Sequence, residues 1–469
     1  MGSRSRVARC ASGSRSADGL ARLPLVLIHG YSDLGASFEP WRRALTERGY
    51  EVSSIHVGNY RSLTNEVTIK DIAEGLDRAL RIRAGLAADE PFDAIVHSTG
   101  MLVIRAWLTA YAKRRDRLKH LIGLAPATFG SPLAHKGRSW LGALFKGNRE
   151  RGPDFLEAGD RILDGLELGS RFTWDLAHLD LLGDEPFYGA TRSTPFVFVF
   201  CGTKAYTGMR GLMNDAGTDG TVRWAGAPLN TRKVILDLTL DPSRPGSEKR
   251  VSIAEWKNID VDLTPVAGVN HGTILSAPPA DLVEMVDGAL RVTSGPGLEQ
   301  WKKDARRRTA ATRQRMNEWQ QFVFRAVDER GDPIADYNIQ LFTRGARGVV
   351  KDLRDFDLSV HAYVADPSFR CFHVNLTRLR HAKVPNLWMR VIASSGSQLV
   401  GYHGFGSEKA VEFADRRDSD AKWDGELDLS ELLGDAEVKF FYPFTTTLVE
   451  VRLNREPLPL AGRNEVAWF

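Results

Sequence analysis

The chain has 469 residues, of which 43% are hydrophobic and 26% are charged, a balance that is ordinary for a soluble globular protein. A formal net charge of +4 gives no overall field that would point to nucleic acid as a partner. The length favours two domains rather than one. The sequence has no run of 18 or more apolar residues, so no transmembrane helix is predicted.

Residues 1–22 predict a disordered basic arm. This stretch has no apolar core of the kind that a secretory signal requires, so the sequence favours a cytoplasmic protein, with export by a signal-independent route left open. The cysteines are too few and too scattered to predict a disulfide framework, and they lie at Cys10, Cys201 and Cys371.

The apolar run from Leu23 to Ile28 predicts a buried strand that ends in a His-Gly turn. Gly30 would let the backbone approach a substrate closely. Ester hydrolysis through a tetrahedral intermediate needs two N–H donors aimed at the oxyanion, and the amide of Tyr31 is one candidate donor. We expect the side chain of His29 to order this loop and to take no chemical step.

Strand-like and helix-like patterns alternate through the following residues. A strand is predicted at 49–57, a helix at 69–84, and further strands at 120–126 and 194–201. Alternation at this spacing predicts an α/β fold in which helices cover both faces of a mostly parallel sheet.

The apolar run Ala94–Val96 stops at His97-Ser98-Thr99-Gly100, and a helical pattern begins at once. A strand, a tight turn carrying serine, and a helix form a nucleophile elbow, which would make Ser98 a nucleophile. The amide of Thr99 is then the other candidate oxyanion donor. Val96 stands where the pattern G-x-S-x-G has its first glycine, so the packing needs relief nearby. An ordinary loop serine is the competing interpretation.

Residues from about 129 to 190 change the pattern to an apolar-rich stretch. Its apolar side chains suit an acyl-binding cleft, although for most of them burial in a small core of their own is the simpler interpretation. The stretch includes Trp140, Leu144, Phe145, Phe155, Leu163, Leu166, Phe172, Trp174 and Leu182.

A candidate acid follows the strand predicted at 194–201. Asp219 lies in Asp-Gly-Thr-Val, where turn residues are followed directly by an apolar one, and a carboxylate there could orient an imidazole. Asp215 is the second choice, and an ordinary Asp-Gly turn is the competing interpretation.

A candidate base lies in the small-residue loop of 266–275. His271 comes last in the chain order Ser, Asp, His, which is the order expected of an α/β-hydrolase arrangement. No cluster has the spacing of zinc ligands, and the chemistry calls for no metal and no cofactor.

Together these segments resemble an α/β-hydrolase of the bacterial lipase and esterase kind, over residues 23–292. The resemblance implies Ser98 as nucleophile, Asp219 and His271 as its partners, and the amides of Tyr31 and Thr99 as the oxyanion hole. It also implies a helical cap at about 129–190.

Residues 293–320 are basic and predict an exposed helix or linker. Basic runs are usually solvated, and attraction to an anionic membrane surface is the functional alternative. Short strands separated by turn residues then predict a β-sandwich-like domain over 321–469, which would bind lipid or polymer or simply extend the hydrolase core.

The sequence thus predicts a two-domain serine hydrolase that cleaves carboxylic esters of lipids or of medium and long acyl chains. A phospholipase acting on membrane phospholipids is the near alternative. An inactive hydrolase fold that serves as a binding module is the alternative from another class. Nucleic acid is not expected as a partner, and the oligomeric state is left open.

Overall fold

The computed structural model describes residues 22–30, 36–55, 66–112, 114–136, 160–189, 191, 193–207, 215–246, 250–254, 260–345, 348–353, 360–363, 366–381, 384–397, 399–406, 422–433 and 440–457. Within these ranges a parallel sheet covered by helices packs against a sandwich of two further sheets.

The strands and helices are numbered in chain order. The strands are β1 (Leu25–Ile28), β2 (Val52–Ile55), β3 (Phe92–His97), β4 (Leu118–Leu124), β5 (Phe196–Gly202), β6 (Thr231–Asp237), β7 (Val251–Ala254), β8 (Leu263–Val266), β9 (Trp319–Asp328), β10 (Asp336–Arg344), β11 (Val350–Asp352), β12 (Val360–Ala362), β13 (Phe369–Asn375), β14 (Trp388–Ser394), β15 (Val400–His403), β16 (Lys422–Asp428) and β17 (Thr445–Pro457). The helices are α1 (Glu39–Glu47), α2 (Ile69–Ile82), α3 (Gly100–Ala110), α4 (Leu133–Lys136), α5 (Asp160–Leu166), α6 (Arg171–Asp180), α7 (Thr273–Ser276), α8 (Ala280–Ala289), α9 (Gly295–Arg308), α10 (Ala310–Gln314) and α11 (Leu376–His381).

Six strands form the first sheet, in the order β2-β1-β3-β4-β5-β8, and every neighbouring pair is parallel. Successive side chains of a strand point to opposite faces, so a strand buried on both faces is apolar throughout. In β1, Val26 and Ile28 join the core under α2 and α3, whereas Leu25 and Leu27 join the core under α1, α8 and α9. The predicted doubly covered parallel sheet is confirmed.

The second body is a β-sandwich, which confirms the predicted β-rich C-terminal part. One of its sheets runs β12-β13-β9-β17-β6-β7, with β15 paired to β17, and the other runs β11-β10-β14-β16. Alternate residues of β9 show that the two faces of the first of these sheets contribute to two different cores. Phe322 and Phe324 enter the sandwich core, whereas Val323 enters the core that contains the helices of the first body.

Strands β6 and β7 lie within residues 23–292, yet they belong to the sandwich. Residues of β6 pair in parallel with β17, and β7 pairs antiparallel with β6 at the edge of the same sheet. The hairpin leaves the parallel sheet after β5 and returns to it at β8. The chain segment between those two strands therefore ties the two bodies together.

The basic segment forms helices α9 and α10, and two of its arginines pair with carboxylates of neighbouring elements. Arg308 lies 2.7 Å from Asp281 of α8, and Arg306 pairs with Asp262. Attraction of this segment to an anionic membrane stays a prediction. Of the helices described here, none has both the length and the apolar character needed to cross a bilayer.

Candidate active site

Ser98 lies in a strained turn at the carboxyl end of β3, between His97 and the first turn of α3. Its φ angle is +52°, a left-handed conformation that is costly for a residue with a Cβ, by about 1–3 kcal/mol. The turn is fixed because the Ser98 carbonyl accepts the amide N–H of Ala127, at 3.0 Å. The structure therefore gives Ser98 the backbone of a nucleophile elbow.

Close backbone packing surrounds this turn. A Cβ on Gly30 would lie 3.0 Å from the carbonyl oxygen of His97, so the end of β1 is pressed against the elbow. A Cβ on Gly100 would lie 3.4 Å from the Cβ of Val96 and 3.0 Å from the carbonyl oxygen of Ile28. Gly100 thus supplies the relief that a valine at position 96 requires.

The side chains of Ser98, His271 and Asp219, which follow three different strands, meet in one place. The Nε2 atom of His271 lies 3.1 Å from the Oγ of Ser98, and its Nδ1 atom lies 2.9 Å from Oδ2 of Asp219. All three are buried, with 5%, 1% and 0% of the surface of Ser98, His271 and Asp219 exposed. The ends of β3, β5 and β8 meet at one edge of the sheet, and the loops after them carry these residues.

The carboxylate of Asp219 is held by backbone donors as well as by the imidazole. Its Oδ1 atom accepts the N–H of Thr221 at 3.0 Å and that of Val222 at 2.8 Å, which leaves Oδ2 directed at His271. Of the two acids that the sequence offered, the structure brings Asp219 to His271. Asp215 lies one turn earlier, where its carbonyl accepts the hydroxyl of Thr218.

Hydrogen bonds hold both backbone polar groups of His271. Its N–H donates to the carbonyl of Asp219 at 3.1 Å, and its carbonyl accepts Nε2–H of His97 at 3.0 Å. The two imidazole rings are 4.6 Å apart. Sequence reasoning gave His97 no role, and its only signal was its place directly before Ser98.

One of the two predicted oxyanion donors can be located. Thr99 is the N-cap of α3, and the first N–H groups of a helix have no partner within it, so its amide stays the predicted donor to the oxyanion. Tyr31 lies outside the described residues. The side chain of His29 is fully buried beside Phe38, with ring centroids 4.4 Å apart, and its role in ordering the loop stays a prediction.

The described part of the predicted cap consists of α4, α5 and α6, and residues 137–159 lie outside it. Its buried apolar side chains lie in the core that they share with α2 and α3, rather than in a small core of their own. These buried residues include Leu163, Leu166, Leu168, Trp174 and Leu176. The acyl-binding cleft stays a prediction.

Cys201 is a second potential nucleophile near the sheet, and its buried surroundings disfavour the reactive thiolate. Cys201 lies in β5, where burial raises the pKa of its thiol well above the ordinary value of 9.0. A neutral buried thiol is a poor nucleophile. Across the described residues there is also no group of three or more His, Cys, Asp or Glu side chains that could hold a metal ion.

No protein-family model matches the chain, and no curated protein matches it. Among solved structures it resembles phospholipase PlaB from Legionella pneumophila, with a TM-score of 0.72 and 22% identity over 95% of this chain and 97% of that one. PlaB in complex with thio-NAD matches with the same score and identity, over 95% and 98% of the two chains. Lipase BlEst2 from Bacillus licheniformis, in its mature form, matches with a TM-score of 0.36 and 16% identity, over 58% and 93%.

The likeness to PlaB extends over the parallel sheet and the sandwich together, because it covers nearly all of both chains. The sheet order, the strained serine at the end of β3 and the chain order of the three converging side chains agree with the fold that the sequence resembles. The chain has the α/β-hydrolase fold, with a β-sandwich joined to it.

Proposed function

We propose that the protein is a serine hydrolase that cleaves carboxylic esters of lipids through an acyl-enzyme on Ser98. The observation that carries this proposal is the continuous hydrogen-bonded path from Ser98 Oγ to His271 and on to Asp219, at 3.1 and 2.9 Å. An ordinary loop serine has no reason to adopt a strained turn and also to face a buried imidazole–carboxylate pair.

The geometry supports a two-step acyl transfer. His271 accepts the proton of Ser98 through Nε2 as Oγ attacks the ester carbonyl, and the amide of Thr99 donates to the developing oxyanion. His271 then returns the proton to the departing alcohol. In the second step it takes a proton from water, which attacks the acyl group and releases the acid.

Asp219 acts on His271 rather than on the substrate. Its Oδ2 accepts Nδ1–H, so the proton-free nitrogen of the neutral imidazole is the one that faces Ser98. The same carboxylate stabilises the imidazolium that forms during the attack. This effect is strong because the pair is excluded from water.

Phospholipids are the substrate class that one observation favours in particular. The solved structure that matches both bodies of this chain has the name of a phospholipase. The apolar character of residues 129–190 supports an acyl substrate of medium or long chain. We therefore propose lipid acyl esters in general and phospholipids as the first candidates among them.

The test compares the unaltered protein with Ser98→Ala and with Ser252→Ala, a substitution of an exposed serine on β7 that serves as the control. Each protein is given p-nitrophenyl esters from acetate to palmitate, phosphatidylcholine vesicles, and a fluorophosphonate probe that labels activated serines. We expect labelling and acyl release that need Ser98 and are unaffected at Ser252, with longer acyl chains preferred over acetate.

Each result separates the candidates. Release of fatty acid from phosphatidylcholine would establish a phospholipase. Turnover of p-nitrophenyl esters alone would indicate a lipase or esterase, and a preference for acetate would indicate an esterase for small substrates. If the probe labels no protein and no ester is cleaved, the chain is a binding module with a hydrolase fold.

A further inference from the structure

The loop that carries Asp219 is covered by the sandwich. After Asp219 the chain passes through Trp224–Gly226 and enters β6, so the loop continues directly into a strand of the sandwich. The core around Val222, Trp224 and Ala225 also contains Trp319 of β9. The acid of the site is therefore held by residues of the parallel sheet on one side and of the sandwich on the other.

The indole of Trp319 packs closely against the backbone of this loop at Gly217. A Cβ on Gly217 would lie 2.7 Å from two atoms of the indole, so only glycine permits the approach. Gly217 has a φ angle of +73°, and its carbonyl accepts the N–H of Trp224 at 2.9 Å, which closes the loop around Asp219. Trp319 is itself held in place by stacking on His373, with ring centroids 4.3 Å apart.

Two further contacts fix the far side of the same loop. The hydroxyl of Thr446 in β17 donates to the carbonyl of Ala225 at 3.2 Å. The guanidinium of Arg223 donates to the sulfur of Cys371 in β13, with 3.7 Å between Nη1 and Sγ. Strands β9, β13 and β17 of the sandwich thus each contact the short segment that contains the acid.

We propose that Trp319 is a positioning residue for catalysis, which acts by holding Asp219 in hydrogen-bonding distance of His271. This inference rests on the proposed function. Its effect passes through the loop of residues 217–226, which the indole contacts at Gly217. A displacement of a catalytic group by about 1 Å can lower a rate by about 100-fold, so loss of the indole should be felt at Ser98.

The first test compares Trp319→Ala with Trp388→Ala. Trp388 is a matched control, because it is equally buried, with 8% exposed against 9%, and lies in β14 of the other sheet. We expect Trp319→Ala to lower kcat for a p-nitrophenyl ester by about 100-fold with KM unchanged. Trp319→Phe should restore most of the rate, and Trp388→Ala should leave kcat unchanged.

The second test asks whether the effect passes through Asp219. In an Asp219→Asn background there is no oriented carboxylate left to misplace, so we expect Trp319→Ala to lower kcat by less than threefold there. Such non-additivity is the signature of residues that act as one unit. A full 100-fold loss in that background would overturn the proposal.

A third measurement does not depend on turnover. The amides of Thr221 and Val222 donate to Asp219, and their hydrogen exchange should become faster in Trp319→Ala and stay close to that of the unaltered protein in Trp319→Phe and Trp388→Ala. Equal protection in all variants would contradict the proposal even if a variant is poorly active. Absence of Ser98-dependent turnover in the unaltered protein would instead refute the proposed function, and the positioning role with it.

Discussion

At the scale of single residues, the two neighbouring acids allow a sharp comparison. Asp219 accepts hydrogen bonds from two backbone amides and from His271, whereas Asp215 lies in the preceding turn. Both are carboxylates in Gly-rich turns, so substitution by asparagine is a matched change at the two positions.

We expect Asp219→Asn to lower kcat by about 10⁴-fold, because an amide at this place favours the wrong tautomer of His271. Asp215→Asn should leave kcat within a fewfold of the unaltered protein. Initial rates with a p-nitrophenyl ester measure both. A large loss in Asp215→Asn with a small one in Asp219→Asn would show that the acid is misassigned.

The sequence predicted which residue types would meet, because each follows a strand of one parallel sheet. The sequence could not distinguish Asp219 from Asp215 by geometry, because both lie among turn-forming residues. Only the fold shows which of the two reaches His271. The part played by His97 could not be predicted either. Its imidazole supports the carbonyl of a residue 174 positions away along the chain.

At the scale of elements, a buried ion pair joins the nucleophile helix α3 to the cap helix α6. Nε and Nη2 of Arg105 donate to the carboxylate of Asp180 at 2.7 and 2.8 Å, and Nη1 donates to the carbonyl of Thr128 at 2.7 Å. The hydroxyl of Tyr188 donates to the same carboxylate. Nε, Nη1 and Nη2 of Arg105 each donate a hydrogen bond, and both charged side chains are fully buried.

Arg105→Ala should lower the free energy of unfolding by about 3–5 kcal/mol, because it leaves the charge of Asp180 buried without its countercharge. The pair Arg42 and Glu39 has the same two-pronged geometry on the exposed side of α1, which makes Arg42→Ala the control. Urea unfolding monitored by tryptophan fluorescence measures both. If the two substitutions shift the midpoint equally, the buried pair does not hold α6 on α3.

The positions of most elements could be predicted from periodicity, but the partners of some strands could not. The strand of residues 194–201 and the helix of residues 69–84 appear as β5 and α2 with small changes of their ends. Strands β6 and β7 were included in the first domain by their place in the chain. The pairing of β6 with β17 joins residues more than 200 positions apart. An alternating pattern of apolar side chains indicates which face of a strand is buried, but not which strand is its partner.

At the scale of the whole molecule, the contact between the two bodies contains an imidazole that stays neutral in the folded state. Burial, reinforced by the charge of Arg223, lowers the pKa of His373 well below its ordinary value of 6.5. In the unfolded chain His373 gains a proton as the pH falls below 6.5, whereas in the folded chain it does not. This group therefore lowers stability progressively as the solution becomes more acidic.

We expect the stability difference between the unaltered protein and His373→Gln to change by roughly 1.4 kcal/mol per pH unit below about pH 6, always against the histidine. Urea midpoints at pH 5, 6, 7 and 8 for both proteins measure it, and the other titrating groups cancel in the comparison. A difference that does not vary with pH would mean that the fold does not lower the pKa of His373.

The place of β17 also has a consequence for synthesis on the ribosome. β17 lies between β9 and β6 and runs parallel to both, although it follows both in the chain. Until residues 445–453 have been translated, β9 and β6 each have one edge that lacks its β17 partner. A nascent chain therefore carries Ser98, Asp219 and His271 before the loop of Asp219 gains its contact with Thr446 of β17. Under the proposed function, we expect full ester hydrolysis only from chains in which β17 has been inserted.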